Sequence, residues 1–326
     1  MKLHLNRWKA AAAFFASVSI MNCATAQESF PKEPIQLVIP FAPGDTDKML
    51  RPIADRMRDA LGQSVILQYK PGAGGGVGAG QVAAAKPDGY TLAGSSPGAL
   101  VIVPLANKDM KYQTESFAPV AAFSKGAFLI LVPGDSPYQT LKDFVDAAKE
   151  KPASITYGSS GTMGITHLLT EIFSKNAGIQ LMHVPYQGST PAVTDLLGKE
   201  INMAMSAVAP ALGYIQTGRL KALAVISDTR SPLLPDVPTV AELGYGASSP
   251  ALYGIVAPKG TPKERIDLIY QAAKKAVDEN KEEISKNLAT LGAEINLLDP
   301  DAYSAYLQEQ KAMFAKAIEG LNTGKP

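Results

Sequence analysis

Short apolar runs alternate with amphipathic stretches along almost the whole chain, and that alternation limits the fold more than any single motif. The run "PIQLVIPF" (34–41) is followed by "TDKMLRPIADRMRDALG" (46–62), in which Met49, Leu50, Ile53, Met57 and Leu61 recur at helical spacing. "SVILQY" (64–69) reads as a strand, "VGAGQVAAAK" (77–86) as a short helix, "PDGY" (87–90) as a turn and "TLAGSS" (91–96) as a strand. "FLILVP" (128–133) is a further strand and "TLKDFVDAAKEK" (140–151) an amphipathic helix. "ITYGSSG" (155–161) is a strand ending in a loop of small residues, and "THLLTEIFSKNAG" (166–178) a helix with a glycine stop. "LMHVPY", "INMAMSAV" and "LKALAVIS" are later apolar runs. This β–α alternation predicts an α/β class with parallel sheets. Pro52 conflicts with the first helix and predicts a late or kinked start. Near the C-terminus "TPKE" (261–264) predicts a capping box with Pro262 at the first helical position. "DP" (299–300) repeats the cap-then-proline pattern ahead of Tyr303, Tyr306, Leu307, Phe314 and Ile318.

The first residues speak for compartment. "MKLHLNRWK" is basic and free of acids, "AAAFFASVSIM" is apolar but too short to span a bilayer, and "ATA" precedes Gln27. Together they predict a secretory signal peptide, residues 1–26, cut after Ala26. A lipoprotein anchor at Cys23 is disfavoured because Asn22 stands where a small residue is required. Cleavage leaves 300 residues and removes Lys2, Arg7 and Lys9, so the net charge falls from +1 to −2. It also removes the single Cys and the single Trp, so no disulfide can form and stability must come from burial. Charge is balanced and no basic run occurs, which argues against nucleic acid as a partner.

"PGAGGGVGAG" (71–80) formally satisfies the dinucleotide pattern G-x-G-x-x-G/A through Gly74, Gly76 and Ala79. That fingerprint needs an acidic residue about twenty positions on, where this chain has Ser and Pro. The same glycines suit a helix N-terminus whose exposed N–H groups meet an anion such as a carboxylate. "GSSPG" (94–98) matches a nucleophile elbow centred on Ser96, but Pro97 and Pro104 read poorly as the helix it requires. "YGSSGTMGITH" (157–167) places Ser, Gly and Thr between a strand and a helix start, which suits a carboxylate without any buried cation. His167 and His183 lie far from any metal-ligand cluster and read as structural histidines. Asp45 and Asp47 flank Thr46 where an N-cap belongs.

Six segments, in order, carry a wider resemblance: "PIQLVIPFAPGDTDKMLR", "PGAGGGVGAGQVAAAKPDGYTL", "ITYGSSGTMGITHLLTEIF", "HVPYQGSTPAVTDLLGKEINM", "GRLKALAVISDTRSPLLPDVPTVAELGY" and "YGIVAPKGTP". They resemble the Bug/TctC family, the periplasmic solute-binding proteins of tripartite tricarboxylate transporters. The resemblance implies a type II periplasmic-binding-protein fold, with two α/β domains joined by two crossing strands and the ligand cleft between them. It implies domain 1 over 27–124 and 253–300, domain 2 over 125–252, and a C-terminal helix over 301–326 packing across the domains. It implies a non-catalytic monomer that needs no cofactor or metal and delivers a small carboxylate to integral-membrane transporter subunits. The alternative from the residues is a secreted serine hydrolase using Ser96. By resemblance the ligand-binding residues are the first loop from Phe41 to Asp47, with Asp45 and Thr46 inside it, then Gly74 and Gly75, and Gly94, Ser95 and Ser96. From domain 2 come Ser159, Ser160, Gly161, Thr162, Thr166 and His167, with Tyr186 and Ala207 completing the cleft. The first loop, "PGDTD", is one residue shorter than the family pattern and has Asp45 where a small residue is usual, and Tyr253 stands where the family commonly has Trp. The chain recovered after export is expected to begin at Gln27, which intact-mass measurement reads directly; a lipid-modified mass starting at Cys23 would overturn it.

Overall fold

The alternation of the sequence closes into two sheets, and the chain passes directly from one into the other. The computed structural model describes residues 30–246 and 251–322, with the backbone alone at Asp45 and at 320–322. The expected signal peptide lies outside the described residues. The first lobe opens with β1 (Ile35–Ile39), α1 (Asp45–Leu61), β2 (Val65–Tyr69), α2 (Gly76–Ala83), β3 (Thr91–Ser95), α3 (Val103–Ala106) and β4 (Phe117–Gly126). The second lobe follows with β5 (Phe128–Pro133), α4 (Leu141–Glu150), β6 (Thr156–Ser159), α5 (Ile165–Ala177), β7 (Met182–Pro185), α6 (Ser189–Leu197), β8 (Met203–Ala207), α7 (Val208–Gln216) and β9 (Leu220–Ile226). The chain then returns through β10 (Ala251–Pro258), α8 (Lys263–Glu279), α9 (Lys281–Ala289), β11 (Ala293–Leu298) and α10 (Pro300–Asn322).

The first sheet runs in the order β11-β4-β10-β3-β1-β2 and the second β7-β6-β8-β5-β9. Strands linked by helices pair in parallel: β1 with β2 and β3, and β6 with β7 and β8. The expectation of parallel sheets is corrected by the crossing strands. β10 runs antiparallel to β3 and β4, β11 antiparallel to β4, and β5 antiparallel to β8 and β9. Only Ala127 separates β4 from β5, so one strand leaves the first sheet and becomes part of the second. The strand that brings the chain back, β10, lies beside β4 in the opposite direction.

Burial follows the sequence pattern. Met49, Leu50, Ile53, Met57 and Leu61 of α1 are all buried, and β8 is buried along its whole length. Val38, Leu100, Phe117, Val256 and Tyr303 share one core, and Leu129, Leu196, Ala204 and Val225 another. Three local expectations need correction. α1 starts at Asp45, ahead of Pro52, so the proline sits within the helix without delaying its start. Thr261 does not cap α8: its hydroxyl donates to the Pro258 carbonyl at 2.8 Å, and Pro262, with an extended ψ of 137°, stays outside the helix. Residues 98–106 are helical despite their prolines, as a wide turn at Gly98–Ile102 leading into α3. Pro97 precedes that turn, and where Pro104 has no N–H to give, the Ala99 and Leu100 carbonyls accept the Tyr112 hydroxyl at 2.6 Å and the Thr114 hydroxyl at 3.2 Å. The other cap forms as expected. Asp299 Oδ1 accepts the Ala302 N–H at 2.8 Å and Pro300 opens α10. That helix lies against β4, α3 and α5. Among the described residues no helix is long and apolar enough to cross a membrane.

Gly254 marks the tightest point of the crossing. A Cβ there would stand 2.4 Å from the Ala121 carbonyl oxygen and 2.8 Å from the Tyr303 ring. Gly254→Ala is expected to lower stability by about 1–3 kcal/mol, whereas Gly213→Ala, in α7 with nothing near its Cβ, should raise it by up to about 1 kcal/mol. Urea unfolding midpoints of the two variants test the contrast.

Candidate functional site

The C-terminal ends of the parallel strands of both sheets face one cleft, and the loops leaving them form its walls. From the first lobe come Phe41–Gly44 after β1, Pro71–Gly75 after β2 and Ser96 after β3. From the second come Ser160–Thr162 after β6 and Tyr186–Gly188 after β7. The crossing strands contribute Phe128 and Tyr253. The cleft has two recesses that share Phe41, Ala42, Ser160 and Gln187. One recess carries Phe41, Phe128, Ile165 and Tyr253; the other carries the glycines 72, 74 and 75 opposite Gly161 and Thr162.

Four helices start at this cleft, α1, α2, α5 and α6, and each has glycine at its N-cap: Gly44, Gly75, Gly164 and Gly188. None of the four receives a capping hydrogen bond from its N-cap side chain. α4, whose start does not line the cleft, is capped in the ordinary way, with Thr140 Oγ1 accepting the Asp143 N–H at 3.1 Å. A glycine cap leaves the first-turn N–H groups uncovered by side chain, at the positive end of the helix dipole. Gly75 and Gly188 also hold φ of +98° and +138°, which side-chain-bearing residues rarely adopt. Among the described residues no charged side chain lines the cleft.

Of the residues expected from sequence, Phe41, Thr46, Gly74, Gly75, Ser96, Ser160, Gly161, Thr162 and Tyr186 line the cleft. Asp45 apart, the remainder do not. Asp47 is buried behind the first loop, where it accepts the Gly44 N–H at 2.6 Å and the Tyr69 hydroxyl at 3.0 Å. Burial and that carboxylate raise the Tyr69 pKa. Gly94 faces the core, since a Cβ there would meet Leu50, Ile39 and Leu37. Ser95 is buried and donates to the Ser96 carbonyl. Ser159 is buried at the root of the 159–164 loop, and Thr166 and His167 stand behind that loop and bond to it. Ala207 is buried at the end of β8. The Asp45 side chain lies outside what is described. Tyr186 lines the cleft, while its hydroxyl donates to Asp195 Oδ2 at 2.7 Å. Burial, with the Asp195 carboxylate, pushes its pKa up to about 12.

Several lining residues escaped the sequence reading. Gln187, Gly188, Ser189, Thr190 and Pro191 form a wall at the start of α6. Their stretch "PYQGSTP" has the same order as "YGSSGTMG", an apolar run, then small polar residues, then a helix, and that signal was available. Phe128 and Tyr253 had no local signal: they are apolar residues that reach the cleft because β5 and β10 cross between the sheets, while Ile165 reaches it as the first residue of α5.

Asp47 ties β2 to the first loop through Tyr69 and Gly44, so Asp47→Ala removes a helix-start bond and a part-buried tyrosine partner at once. The expected loss is about 1–2 kcal/mol, read by thermal or urea unfolding; no loss would mean that the loop holds without it.

Residues 49–323 match the TctC profile, the tripartite tricarboxylate transporter family receptor. A related protein, the UPF0065 protein in the gbd 5′ region of Cupriavidus necator, is 33% identical over 319 residues, 97% of this chain and 96% of that one. The solved structure of the periplasmic binding protein BugD is 32% identical, with a TM-score of 0.81 over 89% of this chain and 98% of its own. MatC (Rpa3494) from Rhodopseudomonas palustris, solved with bound malate, is 26% identical, with a TM-score of 0.82 over 89% of this chain and 100% of its own. A match over most of the chain places it by descent as well as by shape: the protein belongs to the tripartite tricarboxylate transporter receptor family, TctC.

Proposed function

We propose that the protein is a periplasmic receptor that closes on a small carboxylate and hands it to the membrane subunits of a tripartite transporter. The observation that carries this is the cleft's polarity. Four glycine-capped helix starts converge on a space that, among the described residues, no charged side chain lines. Such a space favours an anion through N–H groups, hydroxyls and helix dipoles. Membership of the family and the malate held by MatC support the same ligand class. The contacts come from Phe41, Thr46, Ser96, Ser160, Gly161, Thr162 and Tyr186, with Gly74 and Gly75 allowing close approach. Domain 1 comprises 27–124 and 253–300, domain 2 comprises 125–252, and the last helix steadies both. The protein acts as a monomer, after loss of its signal peptide, without cofactor or metal.

Closure is a hinge movement of the two lobes on the crossing strands. The lips already stand close: a Cβ at Gly98 would lie 3.6 Å from Ile165 Cβ, and one at Gly74 would lie 3.5 Å from the Thr162 carbonyl oxygen. A hydrolase built on Ser96 lacks support, because the described serine–histidine pair is Ser159 with His183, and Ser159 is fully buried.

A thermal-shift screen of the mature protein against malate and a panel of aliphatic and aromatic acids tests the proposal, since a ligand that binds only the folded state raises the unfolding temperature. At least one acid should stabilise the protein, and Thr162→Val should weaken that acid by about tenfold to a hundredfold in calorimetry, the worth of a hydrogen bond to a charged group. No shift with any acid, or labelling of Ser96 by a fluorophosphonate, would overturn it.

A further inference from the structure

Behind the 159–164 loop lies a stack of rings that does not line the cleft. Tyr157 on β6, His183 on β7 and His167 on α5 pack face to face. Ring centroids are 5.0 Å apart for Tyr157 and His183, and 4.0 Å for His183 and His167, with those two planes 22° apart. Each imidazole has a nitrogen on the loop. His167 Nδ1 accepts the Met163 N–H at 3.1 Å. His183 Nε2 lies 2.7 Å from Ser159 Oγ, which itself accepts the Gly161 N–H at 3.2 Å.

The loop needs such ties. Gly161 has φ +139°, and Met163, which carries a side chain, sits in the left-handed region at φ +57°. A residue held there persists only where its surroundings fix it. The bond from Met163 to His167 Nδ1 is one such constraint. It also fixes the tautomer, with the proton on Nε2, which faces Glu171 Oε1 at 3.9 Å.

We propose that His167 and His183 are positioning residues for the ligand loop: as neutral imidazoles they hold Ser159–Gly164 in its binding geometry, and a proton on the pair releases it. This rests on that loop being a carboxylate contact. Protonation of His167 places a second N–H donor against the Met163 N–H, so the bond is lost. It also sets a charge 4.0 Å from the His183 ring. The titratable groups facing the pair are Glu171 on α5 and Tyr157 on β6. Glu171 favours the charged imidazole of His183, but its Oε1 already accepts the Tyr157 hydroxyl at 2.6 Å. Burial outweighs it and pushes both histidines down to about 4, with each other's charge a further cause at His183. The loop is therefore held at neutral pH and loosens as the pH falls toward that value. Stability has the same sign: an unfolded histidine takes its proton near 6.5, so between about 6.5 and 4 the unfolded state binds more protons and folding weakens as pH drops.

Two measurements on the mature chain decide it. Without ligand, NMR titration should show the Met163 amide moving with the His167 ring at one midpoint near pH 4. A ring titrating near 6.5, or an amide that ignores it, would overturn the proposal. With malate as probe, His167→Leu should bind about tenfold more weakly at pH 7, the worth of one neutral hydrogen bond at its upper end. His167→Asn, whose Oδ1 can stand where Nδ1 stands, should recover most of that loss. It should also show a smaller fall in affinity between pH 6 and pH 4 than the parent, the malate's own titration being common to both. Equal weakening in both variants, or identical pH profiles in Asn and parent, would refute positioning by His167. If malate and every other acid of the panel fail to bind the parent, the carboxylate reading is overturned and with it the binding half, while the Met163 amide still decides whether the pair holds the loop.

Discussion

Ala127 is the one residue between β4 and β5, and the rest of the architecture depends on that connection. β4 lies inside the first sheet, between β11 and β10, and β5 inside the second, between β8 and β9. The two sheets are therefore joined through their buried interiors and not by a surface tether. Because the strand is shared, the sheets are set with the carboxyl ends of their parallel strands toward one cleft, the position where open α/β sheets bind ligands. β10, returning beside β4, supplies the second tie and brings Tyr253 to the wall that Phe128 reaches from β5. The close approach at Gly254, where Ala121 and the Tyr303 ring leave no room for a side chain, shows how tightly the return strand and the last helix pack there.

That arrangement explains how a cleft can suit an anion with no cation among its described lining residues. Burying a lysine or arginine opposite a carboxylate costs several kcal/mol of desolvation per ion before any attraction is gained. Oriented N–H groups at helix starts are already part of the fold, and each helix end contributes about 0.3–1 kcal/mol toward a negative charge, rising when partly buried. Four such ends share the cleft. Glycine caps keep side-chain oxygens from occupying the N–H groups, while Thr140 caps α4 normally elsewhere. The contrast within one chain ties the glycines to the cleft and not to helix formation in general.

The wall residues are in turn held by residues that never reach the cleft. Asp47 pins the first loop through Gly44 and Tyr69, and Thr166 Oγ1 accepts the Ser160 N–H at 2.8 Å. Ser159, His167 and His183 fasten the loop beyond it. A binding surface made of backbone has little geometry of its own, so its shape is set by the buried polar groups behind it.

The sequence by itself determined the local elements and the chemistry of the loops. The face of α1 from Met49 to Leu61, the Asp299 cap, the glycine stop after α5 and the small-residue loops at 71–76 and 159–164 all follow from neighbours within a few positions, which periodicity and cap chemistry report. The overlap of those segments with a family pattern extended that reading to the whole chain and to a two-lobed fold. What the tertiary structure alone decided depends on contacts between distant residues. The sheets are mixed because β4, β5 and β10 cross between lobes, which no local pattern encodes. Phe128 and Tyr253 reach the cleft because those crossings carry them there. Asp47, Ser95, Thr166 and His167 have the residue types of a binding site, yet the fold turns them inward, where a buried polar group must find a partner. Whether a polar side chain faces ligand or loop is set by what packs against it, and that is information the linear order of residues does not carry.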